Sequence, residues 1–158
     1  MKEALERIAS FNVDHNKLLP GLYLSRRDGD AVTFDLRFKR PNTGDLLSNS
    51  EMHSAEHLIA TLLRNSPQKD AVIYFGPMGC QTGFYFVFDG RLLSLAGAVD
   101  LMKEVFAAAG AFSGEMPGKS AAECGNFRNL DVDTGRAVCK WYAALIADWS
   151  EEKLAYES

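Results

Sequence analysis

The stretch from 21 to 40, GLYLSRRDGDAVTFDLRFKR, alternates apolar and polar residues on both sides of Asp28-Gly29. A period of two marks strands with one buried face, and an Asp-Gly step between two such runs is a strong hairpin signal. An antiparallel pair therefore lies early in the fold. Two further runs, AVIYFGPMG (71–79) and TGFYFVFDG (82–90), are rich in aromatic and β-branched residues and read as strands. Helical spacing predicts a short amphipathic helix over MKEALERIA (1–9), a helix through HSAEHLIATLLRN (53–65), a long one over 93–110 and a last one over 133–149. SAAECGNFRNLD (120–131) reads as a loop or short helical turn. Strands and helices do not alternate strictly, which argues against a doubly wound parallel sheet. The expectation is an α+β fold, an antiparallel sheet with helices packed on one face, formed as a single domain over 1–158.

Composition narrows the functional classes. With 158 residues, 47% of them hydrophobic, the chain is long enough for a proper core. A net charge of −4 leaves no electrostatic footprint for nucleic acid or an anionic membrane. No segment approaches the roughly 20 apolar residues of a membrane span. The ten phenylalanines and five tyrosines are most simply core and sheet residues. Three cysteines, without a C-x-x-C pair or a leading signal segment, point to a reducing cytoplasmic setting rather than a disulfide framework.

The chemistry gathers on the second helix. Ser48 and Glu51 fit an S-x-x-E capping box, and Met52, Ala55, Ile59, Leu62 and Leu63 recur at spacings of three and four until Asn65-Ser66-Pro67 stops the helix. His53 and His57 are four apart and share a face, with Glu56 at its border. A chance pair on an amphipathic helix is the plain alternative. The apolar residues around the pair make uncompensated imidazoles costly, which favours a metal ion held by both. A third ligand is then needed. Cys139 falls on the apolar stripe of the last helix with Val138, Tyr142, Leu145 and Ile146, where free cysteine is an ordinary core residue. Cys80 and Cys124 each neighbour a glycine, where backbone turns sharply or approaches a ligand. Either completes a His-His-Cys set, leaving the other as a free thiol; spacing does not choose.

SFNVDHN (10–16), FDLRFKRPN (34–42), HSAEH (53–57), PMGCQTGFY (77–85) and ECGN (123–126) together resemble successive signatures of the S-ribosylhomocysteine lyases, the LuxS family, in the family's order. The resemblance implies a homodimer with active sites at the interface. It implies a tetrahedral metal on His53, His57 and Cys124 with water in the fourth place, and Cys80 and Glu56 as the proton-transfer pair. It favours iron(II), with zinc and cobalt able to substitute. Ser10, His15 and Arg37 match positions that contact the sugar or shape the pocket; without the resemblance they read as a cap, a surface imidazole and a strand ion pair. His15 is expected to serve the metal site of the partner chain. Arg64 is a candidate for the homocysteine carboxylate, though an arginine in the last turn of a helix is equally explained by the macrodipole. Lys39-Arg40 departs from relatives that carry a cysteine and an uncharged residue there.

The implied reaction takes S-ribosylhomocysteine to homocysteine and 4,5-dihydroxy-2,3-pentanedione, the precursor of a signalling molecule. Two other readings compete. A small zinc metallopeptidase of the inverted H-x-x-E-H type explains the helix but leaves Cys80 idle, and a non-catalytic module would use the metal only to hold its fold.

Overall fold

A computed structural model describes residues 4–157 of the chain. β1 (Gly21–Asp28) and β2 (Ala31–Arg37) form the expected hairpin, with Asp28 paired to Ala31, so the turn itself is Gly29-Asp30. α1 (Asn49–Arg64), β3 (Val72–Pro77), β4 (Gly83–Asp89), α2 (Leu95–Gly110) and α3 (Val132–Leu145) follow. The sheet runs β1-β2-β4-β3, with every neighbouring pair antiparallel. The architecture is α+β.

Alternation sorts the two faces of the sheet. Leu22, Phe34, Leu36, Phe84, Phe86 and Phe88 are fully buried and share one core with residues of all three helices. Phe38 continues that face beyond β2 and stacks on Tyr142 of α3, ring centroids 4.1 Å apart. The Tyr142 hydroxyl donates to the Gly21 carbonyl at 2.7 Å, which satisfies its one polar atom inside the core. The opposite face carries Tyr23, Asp35, Arg37, Thr33, Tyr85 and Val87, and Tyr74 at the β3 edge is half exposed.

α1 starts where its caps place it. The Ser48 hydroxyl accepts from the Glu51 amide and the Glu51 carboxylate accepts from the Ser48 amide, a reciprocal box of the kind that stabilises a helix by about 1 kcal/mol. α3 then lies tightly against α1. A Cβ at Gly135 would sit 2.9 Å from Leu58 Cδ1 and 3.1 Å from the Ser54 backbone, so the approach needs glycine. The Ser54 hydroxyl accepts from the Asp131 amide at 2.9 Å, and Ser50 donates to the Asn129 carbonyl at 2.6 Å. These contacts press the 124–131 segment onto the first turns of α1.

One expected element is not seen among the described residues. Residues 1–3 lie outside the described residues, but 4–8 are irregular and only Ala9–Phe11 forms a single 3-10 turn. Leu5 and Ile8 are exposed in this chain. A short helix whose apolar side chains stay exposed cannot offset the cost of nucleation. Cys139, by contrast, is fully buried as expected, and burial pushes its thiol up to about 12.

Candidate metal centre and the Cys80 pocket

His53 and His57 project from adjacent turns of α1 with ring centroids 4.7 Å apart and planes nearly perpendicular. Cys124 Sγ lies 3.3 Å from His53 Nε2, and one donor atom from each of the three residues falls within 4.8 Å of the others. Tetrahedral metal bonds of about 2.1 Å to nitrogen and 2.3 Å to sulfur would separate two such donors by roughly 3.6 Å. The cluster has that scale. The Asn126 amide points at Cys124 Sγ from 3.5 Å, a donor suited to a sulfur bearing negative charge.

The back of each imidazole is fixed. His57 Nδ1 bonds the Pro117 carbonyl at 2.8 Å, and His53 Nδ1 bonds the Asn129 side-chain oxygen in a short contact. Both partners can only accept, so both Nδ1 atoms carry the proton and both Nε2 lone pairs face the cluster. Asn129 is itself oriented, its amide donating to Asn49 Oδ1. Gly118, in the left-handed region at φ +73°, lies under the His57 ring, where a Cβ would come within 3.0 Å of Nδ1. The donor set, its tautomers and its supports fit a divalent ion of intermediate softness such as zinc or iron(II).

Glu56 borders this cluster. With Asn49, Met52, His53, Pro77 and Asn126 it lines an open cavity of about 260 Å³. Cys80 lines a different one. In the connection between β3 and β4 it faces a cavity of about 410 Å³ shared with His15, Pro41, Asn42, Leu46 and Thr82. Within one chain, then, Glu56 stands with the metal cluster and Cys80 stands with His15. Cys80 Sγ is 3.0 Å from the Thr82 hydroxyl and 3.9 Å from Arg37 Nη1. Arg37 is almost fully buried; it donates to Thr82 at 2.8 Å and forms a two-pronged pair with Asp35 at 3.1 and 2.7 Å. Its guanidinium is thus a fixed positive charge beside the sulfur.

Several expectations change. Gly79 and Gly125 need no special backbone: neither has positive φ, and a Cβ at either meets open space. The left-handed residue beside Cys80 is Gln81, φ +64°, held by hydrogen bonds of its backbone and side chain to Leu47. Arg64 sits at the far end of α1 from His53 and donates to the Val72 and Ile73 carbonyls at 2.8 and 3.1 Å. It ties α1 to β3 through two of its N–H groups, away from both the metal cluster and the Cys80 cavity. Ser10 lines neither cavity above; it faces the open side of the sheet with Ser25, Thr33, Tyr74, Tyr85 and Val87. Lys39 pairs with Asp45 at the surface, 3.2 Å apart, which accommodates the departure at that position. Asn129, Thr82 and Asp35 were not singled out in the sequence, since each acts through a hydrogen bond; Asp35 and Thr82 nonetheless lie inside the quoted blocks 34–42 and 77–85.

A family model described as S-Ribosylhomocysteinase (LuxS) matches residues 8–153. An S-ribosylhomocysteine lyase of Desulfotalea psychrophila is 44% identical, the alignment covering 98% of this chain and all of the relative. Enzymes of the same name from Finegoldia magna and Clostridium beijerinckii are 42% and 41% identical, each over 96% of this chain and 99% of the relative. With a match of this extent, the chain belongs to the S-ribosylhomocysteinase (LuxS) family.

Proposed function

We infer that the chain is an S-ribosylhomocysteine lyase, a carbon–sulfur lyase, acting as one domain over 1–158. The observation that carries the reading is the His53-His57-Cys124 cluster with Glu56 on its rim. The substrate's C5–S bond is not cleaved directly, because nothing makes the adjacent C4 proton acidic. Moving the carbonyl from C1 to C2 and then to C3 supplies that acidity. Removal of the C4 proton then expels the homocysteine thiolate by β-elimination, and the remaining five carbons become 4,5-dihydroxy-2,3-pentanedione.

Each migration is a proton taken from one carbon and returned to its neighbour through an enediolate. A bound divalent ion supplies Lewis acidity that stabilises the developing oxyanion. The protein's own task is to move protons at two places on the sugar. We assign Cys80, as thiolate, to one and the Glu56 carboxylate to the other. Arg37 complements the charge that Cys80 carries after giving up its proton, and Thr82 positions the sulfur by a hydrogen bond. His15 shares the Cys80 cavity and donates from Nδ1 to the Val13 carbonyl, which leaves Nε2 free to meet a sugar hydroxyl.

Because Glu56 and Cys80 line separate cavities of one chain, we propose that a complete site joins the metal half of one protomer to the Cys80 half of its partner. The open face of the sheet supports this arrangement. Tyr74 is 54% exposed there and lines an open cavity with Thr33, Tyr85 and Val87, and Phe11, next to Ser10 of the same cavity, is 61% exposed. A second copy of the chain in a two-fold dimer would cover them. Ser10, on the same face, would become an interface residue. We propose iron(II) as the resident ion, with zinc or cobalt able to replace it, and a cytoplasmic setting. No described helix is long and apolar enough to cross a membrane.

Anaerobically purified protein incubated with S-ribosylhomocysteine should release one free thiol per substrate consumed, lose that activity on chelation and regain it with a divalent metal. Metal-loaded protein that releases no thiol would overturn the reading. The peptidase alternative is not favoured, since the full-length relatives carry the lyase name. Asn129→Ala should weaken metal binding about 10- to 100-fold, measured by competition with a chromogenic chelator, because His53 loses the acceptor that sets its tautomer. Unchanged affinity would show that Asn129 does not support the ligand.

A further inference from the structure

Residues 154–156 run from the helical core to the open face of the sheet, where Tyr156 meets Asp35, the partner of Arg37. The Leu24 amide donates to the Leu154 carbonyl at 2.8 Å, and the Leu154 side chain is buried, so the segment is anchored along β1. Two residues later the Tyr156 ring stacks on Tyr23, centroids 5.1 Å apart and planes 21° from parallel. Its hydroxyl donates to Asp35 Oδ2 at 2.7 Å.

That oxygen is the one on which Arg37 Nη2 also rests, at 2.7 Å, while Arg37 Nε takes Oδ1. Side chains of Asp35 and Arg37 are each only 3% exposed, so water does little to replace a missing partner. A buried carboxylate needs its donors, and it fixes a guanidinium in one orientation only while those donors hold it. The far side of the same guanidinium reaches Thr82 at 2.8 Å and Cys80 Sγ at 3.9 Å. One unbroken path therefore runs from Tyr156 through Asp35 and Arg37 to the thiol. Burial, and then the Asp35 carboxylate, hold the Tyr156 phenol far above its usual range, so it stays a donor at any working pH.

We propose that Tyr156 is a positioning residue for the lyase reaction, holding Arg37 against Cys80 through Asp35. The proposal rests on the reading of Cys80 as a base. Tyr156 lies beyond the residues matched by the family model, which end at 153.

Tyr156→Phe keeps the ring on Tyr23 and removes only the hydroxyl, which donates to Asp35 and also faces Ser25. In the full-length, metal-loaded protein it should slow alkylation of Cys80 by iodoacetamide at pH 7 by about threefold or more, read on the Cys80 peptide by mass spectrometry. It should lower kcat about tenfold with KM within about twofold, since the contact serves proton transfer rather than sugar binding. In an Arg37→Lys background the same change should have no further effect on either reading, because the path is already cut. Tyr23→Phe is the matched control. It keeps the stack and loses a hydroxyl that donates to the Leu19 carbonyl at 2.8 Å, off the path to Arg37, and it should leave alkylation unchanged. Alkylation at the wild-type rate in Tyr156→Phe would overturn the proposal. So would equal slowing in the Tyr23→Phe control, or an undiminished effect in the Arg37→Lys background. If the wild-type protein released no thiol, the lyase reading would fail while the alkylation comparison still judged the path from Tyr156 to Cys80.

Discussion

Cys80→Ala should reduce thiol release from S-ribosylhomocysteine by about 10³-fold or more while one metal ion per chain remains bound. Loss of a positioned proton carrier costs typically 10²–10⁴ in rate. Retention of metal follows from geometry: Cys80 lines a cavity apart from His53, His57 and Cys124. Cys124→Ala should do the reverse and fail to hold metal, since two imidazoles alone leave the tetrahedron two ligands short. Metal analysis of the two variants after dialysis, beside their rates, is the measurement. A Cys80→Ala protein that loses its ion while Cys124→Ala keeps it would exchange the two roles and defeat the assignment. Cys139→Ala offers a calibration: its thiol is buried and held protonated, so its replacement should cost stability rather than rate.

The readable part of this fold was what local chemistry decides. Ser48 and Glu51 are three residues apart, and their capping box depends on nothing outside that window. The Asp28-Gly29 hairpin is local too, and the turn lies one residue later than the dipeptide suggests because Asp28 still pairs with Ala31. The metal cluster was half legible. His53 and His57 follow from helical period, but the third donor is 71 residues from His53, and sequence spacing left Cys80 and Cys124 equal; only the family resemblance separated them. What escaped entirely is what depends on long-range contacts. Asn129 matters because it meets His53, and Tyr156 because it meets Asp35, 121 residues away. Residues 4–9 show the converse failure. Their amphipathic pattern is real, but periodicity reports only that a face is apolar, and in this chain Leu5 and Ile8 stay exposed.

The separation of Glu56 from Cys80 has a sharper consequence if the protein is a two-fold dimer. Chains bearing Glu56→Gln and chains bearing Cys80→Ala, each inactive alone, should regain roughly a quarter of wild-type activity when co-expressed. Random pairing makes about half of the dimers mixed. In a mixed dimer one site takes its metal half from the Glu56→Gln chain and its thiol half from the Cys80→Ala chain, and so collects both defects. The other site takes each half from the chain in which it is intact. Half of the dimers with one working site of two give the quarter. His15→Ala should complement Glu56→Gln in the same way but fail to complement Cys80→Ala, because His15 and Cys80 share a cavity of one chain. If each chain built its own site, every site in a mixed dimer would carry one defect and activity would stay near zero in all three pairings. Differential tags, used to isolate the mixed species before assay, make that outcome decisive against a shared site. Recovery of His15→Ala with Cys80→Ala would instead place those two residues on different sites and contradict the common cavity.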